Sequence, residues 1–478
     1  MSRSRDSCVV AAGGWVRSNR YVFLMVSALM LVPCFWQKRI EAGDLSSHLY
    51  NAWLAELIAQ GQLPSLWLAR QWTNVLFDVG LAWLLRAFGA AAAEKIAASI
   101  VVLIFFWSAW ALVCAASHKA PGFLLPCIAM LTYGWVFHEG LFNYHLALGL
   151  SLLFLALFWR GTAADCALAF LLLAPAWLAH PLPVLWALAA AGYIWVAQQV
   201  QERSQISLLV VSIAALIALR LFLAWRFQGQ WYWSNAFYLT GADQVCVFGP
   251  RYLLIGSGLA VFWGLLAVSV RERAGHLRSL WTVPAQLYLL TAIGLFLLPS
   301  RIVARGVPFA FIQARMSLMA AVLACGVVGS VVPGVWHRVA SGALAAVFFA
   351  FLYGDARAIN RLEDRVAELV RGLPRGARVV ARLSYPGSRA TVEHLVDRAC
   401  IGRCFSYGNV EPSSGQFRVR AAPGNRFVVA RWQDPIAIRN GEYVVRAEEL
   451  PLYQIEACRS GSAELCLRAL QPGEPNGR

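Results

Sequence analysis

Long apolar runs recur from Tyr21 to Tyr353, and they decide what this chain can become. A helix needs roughly 17–25 apolar residues to cross bilayer hydrocarbon, where an unpaired backbone group finds no partner. On that measure about eleven spans are predicted. They fall near residues 21–36, 96–116, 122–138, 143–160, 165–180, 183–199, 205–226, 251–270, 279–298, 317–333 and 336–353. The run 74–89, NVLFDVGLAWLLRAFG, is shorter and carries Asp78 and Arg86, so it is predicted to lie on the outer membrane surface as an interfacial helix. Composition points the same way. The 478 residues are 59% hydrophobic and only 14% charged, with mean hydropathy +0.58, whereas a soluble domain carries about a quarter charged residues. The expected fold is an all-α polytopic membrane domain over 1–353, followed by a small α/β extracytoplasmic domain over 354–478.

Polar segments set the expected orientation. Arg3, Arg5, Arg17 and Arg20 precede Tyr21–Trp36, and no small-residue cleavage site follows. This reads as a retained first helix with its N-terminus in the cytoplasm. The His180–Pro181 corner, the loop 227–250 and the loop 300–316 then face outward, while 271–278 faces the cytoplasm. Lys38, Arg39, Arg70, Arg301, Arg305 and Arg315 all fall on the outer side, so charge counting does not decide the orientation. The tail cysteines carry more weight. Cys400, Cys404, Cys458 and Cys466 form an even set in one polar segment, which suits disulfides in an oxidising compartment. Zinc is the other reading, and four cysteines allow three pairings. The remaining cysteines lie mostly in apolar runs and read as small core residues. The expected location is a bacterial cytoplasmic (inner) membrane with the C-terminal domain outside.

In the tail, RAINRLEDRVAELVRGL reads as an amphipathic helix with Ile359, Leu362, Val366, Leu369 and Val370 on one face. ARVVARL, RFVVARW, EYVVRA and LYQIEA read as strands, and the terminal GEPNGR as disordered. The formal charge of +16 comes from 41 Lys and Arg against 25 Asp and Glu. Lysine occurs only at Lys38, Lys95 and Lys119. The arginine excess fits a GC-rich coding bias, and it also supplies planar forks that grip phosphate. No clustered basic segment points to nucleic acid.

Several polar constellations interrupt this apolar chain. In GDLSSHLYNAWLAELI, positions Leu45, Leu49, Trp53 and Leu57 repeat every four residues, predicting a helix along the membrane surface. Asp44 opens it, either as its N-cap or as a reactive carboxylate, and His48 shares a face with it. HEGLFNYH at 138–145 brings Glu139, which with Asp44 suits a divalent cation or the orientation of an acceptor, and also suits a solvated turn. His180 either faces a cavity as a phosphate donor or simply marks a helix break. Arg301, Arg305 and Arg315 in SRIVARGVPFAFIQAR, with Arg220 on the same side, suit either a lipid-borne phosphate or headgroup contact. The aromatics of QWYWSNAFYLTGADQ suit an interfacial belt, with sugar stacking as the second reading. There is no GxxxxGK[ST], no GxGxxG after a strand and no HExxH, so nucleotide-driven chemistry has no motif here.

The layout resembles the GT-C superfamily of integral-membrane glycosyltransferases, which includes the protein O-mannosyltransferases and the bacterial aminoarabinose transferases. In that superfamily a loop after the first helix carries an acidic residue and is followed by surface helices. Here GDLSSHLYNAWLAELIAQGQLP holds that place, with Asp44 at the acidic position and surface helices near 45–60 and 74–89. The directly adjacent acidic pair often seen in the superfamily is replaced by the spaced Glu41 and Asp44. The resemblance implies a polyprenyl-phosphate or polyprenyl-diphosphate sugar donor, an extracytoplasmic glycan, lipid or protein acceptor, and inversion at the anomeric carbon. Asp44 would be general base with Glu139 as a second acidic site residue, and His48, His180, Arg220, Arg301, Arg305 and Arg315 would bind substrate. Membrane lipids are the other partners; a divalent cation is the only cofactor considered, and no metal ligands are assigned. A transport or non-catalytic component of envelope polysaccharide or glycolipid assembly is the alternative. A transporter would show matching broken helices in two halves, and the sequence shows none.

Overall fold

In the computed structural model, residues 18–274, 282–304, 307–415, 417–429, 431–458 and 464–477 are described. Among them are six helices long and apolar enough to cross a membrane: Ala90–Ser117, Phe142–Arg160, Pro181–Gln199, Glu202–Arg226, the stretch Tyr252–Val270 and Val335–Arg371. Shorter apolar helices occupy the other predicted positions, at Arg20–Phe35, Gly122–His138, Ala163–Ala179, Val283–Leu297 and Ile312–Val328. Glu202–Arg226 buries only Leu209 of its 25 residues. Its exposed Val210, Val211, Ile217, Leu221, Phe222 and Trp225 form an apolar surface far better suited to lipid than to water. These helices suggest a multi-pass membrane protein.

Two of the predicted spans differ from their expected form. The run 122–138 is broken into Gly122–Leu124, Leu125–Thr132 and Trp135–His138. The break centres on Gly134, where a Cβ would stand 2.9 Å from the carbonyl oxygen of Gln244. Conversely, the predicted span 336–353 and the amphipathic tail helix are one helix of 37 residues, Val335–Arg371. Gly354 sits inside it, and an interior glycine costs only about 1 kcal/mol relative to alanine, too little to end a helix.

Contacts divide the chain into two compact units, one of 1–32, 100–137 and 144–352, the other of 33–99, 138–143 and 353–478. The first is helical, with an antiparallel three-stranded sheet of Gln228–Gln230, Arg301–Ala304 and Val307–Phe309. Buried Asp243, Gln244 and Ser317 form a polar knot within it. Gln244 donates to the carbonyl of Ala314 and to Ser317 Oγ, both at 2.7 Å, and Ser317 donates to Asp243 at 3.0 Å.

The second unit contains more than the C-terminal segment. Its four-stranded sheet runs in the order Phe405–Ser406, Arg378–Arg382, Leu452–Ala457, Leu465–Ala469, with the last pairing antiparallel and the others parallel. A ribbon pairs Leu66–Leu68 with Val419–Ala421, joining the N-terminal stretch to the tail. Tyr50 and Leu54 of helix Leu45–Ala59 pack in one core with Val366, Val370, Val379 and Ile455. That helix buries Leu45, Ser46, Ser47, His48, Leu49, Tyr50 and Asn51 in succession, so it is surrounded on most sides and not along the one face that the four-residue spacing picks out. Leu76–Phe88 buries Phe77, Leu81 and Leu84 and exposes Val79, Trp83 and Phe88, two apolar faces on one helix.

Of the predicted strands, ARVVARL and LYQIEA form. In RFVVARW and EYVVRA, Val428, Val429 and Val445 are buried in core packing, and among the described residues only an isolated bridge from Val444 to Pro475 is made. The terminal segment is ordered through Asn476, which donates to the Ile438 carbonyl at 2.9 Å and to Gln454 at 2.8 Å. The tail cysteines pair as Cys400–Cys404 and Cys458–Cys466. Peptide mapping after alkylation without reductant is expected to recover these two linkages. Cys404→Ser should lower stability by about 2 kcal/mol; alkylation at Cys400, Cys404, Cys458 and Cys466 in the untreated protein would contradict the pairing.

Candidate functional site

The site begins in the segment 39–44, which is held from two directions. On one side lies the turn 138–140. His138 Nδ1 is 2.6 Å from the Glu41 carbonyl oxygen, and the Asp44 amide donates to the Glu139 carbonyl at 3.0 Å. Both strands of this contact need glycine. A Cβ on Gly140, whose φ is +86°, would stand 2.3 Å from the Asp44 nitrogen, and one on Gly43 would stand 2.5 Å from the Glu139 oxygen. On the other side lies a buried ion network. Arg398 reaches Glu94 at 3.3 Å and Glu363 at 3.4 Å. It also donates to the Ile40 carbonyl at 3.0 Å and to Ser46 Oγ at 2.6 Å. Arg39 joins Glu363 at 3.5 Å, and Asn360 donates to Glu41 at 2.6 Å. Burial, reinforced by Glu363, pushes the Glu41 carboxyl well above the usual carboxylate range. Burial raises the Glu363 carboxyl as well, against the opposing pull of Arg398 and Arg39.

Between these braces stands Asp44. It occupies the N-cap position of Leu45–Ala59, yet its backbone is helical and its side chain makes no capping hydrogen bond. The carboxylate instead has Oδ1 3.3 Å from Nε2 of His394. The other ring nitrogen of His394 is 2.9 Å from Asp397 Oδ2, and Ser406 donates to Asp397 Oδ1 at 2.5 Å. The Asp44 side chain is 38% exposed, against 15% for His394 and 3% for Asp397. One carboxylate thus opens to solvent at the end of a buried relay. Burial alone would lower the His394 pKa, but the hydrogen bond and charge of Asp397, with Asp44 adding to them, raise it to about 10.

A second arm meets the first. His48 Nδ1 is 2.6 Å from Asp78 Oδ1 and 3.9 Å from Glu411 Oε1. Asn143 holds Asp78 by donating to its other oxygen at 2.7 Å, and accepts from the Phe77 amide at 2.9 Å. Burial opposes protonation of His48, yet Asp78, then Glu411 and Asp44, raise its pKa to about 9. Burial and the charges of Asp78 and Asp44 raise Glu411 to about 8 despite the opposing pull of His48. These shifts favour the protonated form of both imidazoles and of Glu411, behind the open carboxylate of Asp44.

The expected residues separate. Asp44, His48 and Glu139 come together in the second unit. Glu139 is buried, and its carboxylate accepts from the Thr391 amide at 3.1 Å, which makes it a brace. His48 is buried in its pair with Asp78, so it does not present a free substrate-binding face. His180, Arg220, Arg301 and Arg315 lie in the first unit. His180 caps helix Pro181–Gln199 by accepting from the Leu182 amide at 3.2 Å, the helix-break role. Arg220 donates to the Leu297 carbonyl at 3.0 Å and lies over Trp231. Arg301 begins its strand, and the Arg315 carbonyl accepts from Tyr144 at 2.9 Å. Arg305 lies outside the described residues. Among the described residues no group of three or more His, Cys, Asp or Glu is arranged to hold a metal ion.

Sequence reading missed Asp78, His394, Asp397, Arg398 and Glu411 as members of the site. HLVDR carried a usable signal, since His394 and Asp397 at a spacing of three face one another across a helical turn. No family model matches the chain, and neither does any curated protein or solved structure.

The raised pKa values set a direction for stability. The unfolded chain releases protons near 4.5 from Glu411 and near 6.5 from the histidines, while the fold retains them to about 8, 9 and 10. The folded state binds more protons throughout that window, so stability falls as pH rises. The histidine contribution is whole below 6.5 and lost by about 10. Denaturant unfolding between pH 6 and 10 should show this decline, and His394→Gln should flatten it. A wild-type profile that rises with pH would contradict the assignment.

Proposed function

We propose that the chain is a membrane glycosyltransferase of the GT-C kind, taking sugar from a polyprenyl-phosphate or polyprenyl-diphosphate donor. The observation that supports this most is the open Asp44 carboxylate, backed by His394 and Asp397 and placed just after the first apolar helix. In the proposed reaction, Asp44 takes the proton of an acceptor hydroxyl as its oxygen attacks the anomeric carbon. The bond from that carbon to the carrier phosphate breaks, the lipid phosphate leaves with the electron pair, and the sugar configuration inverts. His394 is a positioning residue that keeps the carboxylate oriented. Stabilisation of the departing phosphate remains the sequence-based expectation for Arg301, Arg305 and Arg315. The reading extends to all eleven apolar helices as spans, and to the tail as an extracytoplasmic domain in a bacterial inner membrane. Paired cysteines in that tail support the placement.

The test is sugar transfer by membranes containing Asp44→Asn, supplied with a panel of labelled polyprenyl-phosphate sugars. A general base contributes roughly 10²–10⁴-fold, so transfer should fall by that factor while the protein still inserts and folds. His394→Gln should shift the pH profile and reduce transfer less. Wild-type transfer by Asp44→Asn would remove this residue from the chemistry and favour the transport or assembly reading.

A further inference from the structure

We propose that a cavity in the second unit, bounded by Arg378, Tyr407, Arg426, Arg446 and Glu448, binds an acidic sugar: a hydroxylated ring carrying a carboxylate or a phosphate. The cavity measures about 410 Å³, which lies within the usual range for small-molecule sites of roughly 300–1,000 Å³.

Its floor is built and held. Glu449 is buried. One of its oxygens accepts from Tyr407 at 3.0 Å and from Tyr443 at 2.5 Å. The other accepts the Arg446 amide at 2.9 Å. Arg378 lies over the Tyr407 ring at 5.8 Å and is anchored to the Leu450 carbonyl at 2.7 Å. The facing loop is pinned by Asn425, whose side chain accepts from the amides of Phe427 and Val428, both at 3.0 Å. The walls therefore stand before any ligand arrives, which lowers the cost of binding.

The chemistry of the lining selects the ligand. Arg426 and Arg446 are exposed at the rim and Arg378 is half-buried; their planar forks match a carboxylate or phosphate. A bare anion would leave most of the space unfilled and would meet repulsion from Glu448. A ring that carries both an anionic group and hydroxyls answers both points, because Glu448 accepts from hydroxyls while Ala421, Ala422 and Pro423 cover an apolar ring face. Asp44 takes no part in this site.

The experiment is calorimetry on the full-length protein in detergent with glucuronate, glucose 6-phosphate, inorganic phosphate and glucose. At least one acidic sugar should bind more tightly than both glucose and inorganic phosphate, and which one binds tells a carboxylate site from a phosphate site. Losing two charged hydrogen-bonding partners should weaken that binding at least about tenfold in the Arg426→Ala/Arg446→Ala double variant. Asp44→Asn should bind as the wild type does. Both substituted arginines are exposed, and an unchanged unfolding temperature will show that the variant folds; the Arg426→Lys/Arg446→Lys variant, which keeps the charges, should fall between the two. No preference for an acidic sugar, or undiminished binding by the alanine variant, would overturn the proposal.

Discussion

The guanidinium of Arg398 is almost wholly buried and touches Glu94, Glu363, the Ile40 carbonyl and the Ser46 hydroxyl at once. Taking such a charge out of water costs several kcal/mol, and only well-placed partners offset it. Burial would weaken its hold on the proton, but Glu363, Glu94 and Glu41 more than reverse this. These partners come from the loop after the first apolar helix, from Ala90–Ser117, from Val335–Arg371 and from Leu45–Ala59. A buried ion group of this kind adds less to stability than it demands in geometry. Its consequence is that segment 39–46 is tied down at the Ile40 carbonyl and the Ser46 hydroxyl.

That position determines what Asp44 can do. A carboxylate at a helix start ordinarily turns back to cap the first turn. Here the glycine contacts at Gly43 and Gly140 and the pull of Arg398 on Ile40 set the backbone so that the cap is not made. The carboxylate points to His394 instead. Because His394, Asp397 and Arg398 lie within five consecutive residues, closed by Cys400–Cys404, one short stretch of tail supplies both the partner of Asp44 and the clamp on its loop. The acids and imidazoles behind Asp44 are hydrogen-bonded to one another, which lets them be buried together.

The apolar helices were legible because long, predominantly apolar runs have few other uses, and each predicted position carries a helix. Asp44 stood out for the converse reason, as a charge where charges are costly. The helix Val335–Arg371 was read as two because its pattern changes from all-apolar to one-sided, and backbone continuity is not written in that change. The burial of Leu45–Ala59 on most sides was not legible because its polar residues Ser46, His48 and Asn51 are satisfied by partners from other segments, as in the hydrogen bonds between Asn51 and Asn409. Pairings separated by more than three hundred residues leave no local periodicity. Arg301, Arg315 and the carboxylate at 44 were joined by resemblance, and the structure assigns the two arginines and Asp44 to different compact units.

The claim that most of this rests on is that Arg398 holds the Asp44 segment in place. Hydrogen exchange followed by mass spectrometry, on wild type and on Arg398→Gln, measures it directly. Removing one partner of a buried ion group costs roughly 3–5 kcal/mol, so exchange across residues 39–48 should accelerate markedly while Glu202–Arg226 stays unchanged. Equal protection of 39–48 in the two proteins would contradict the account.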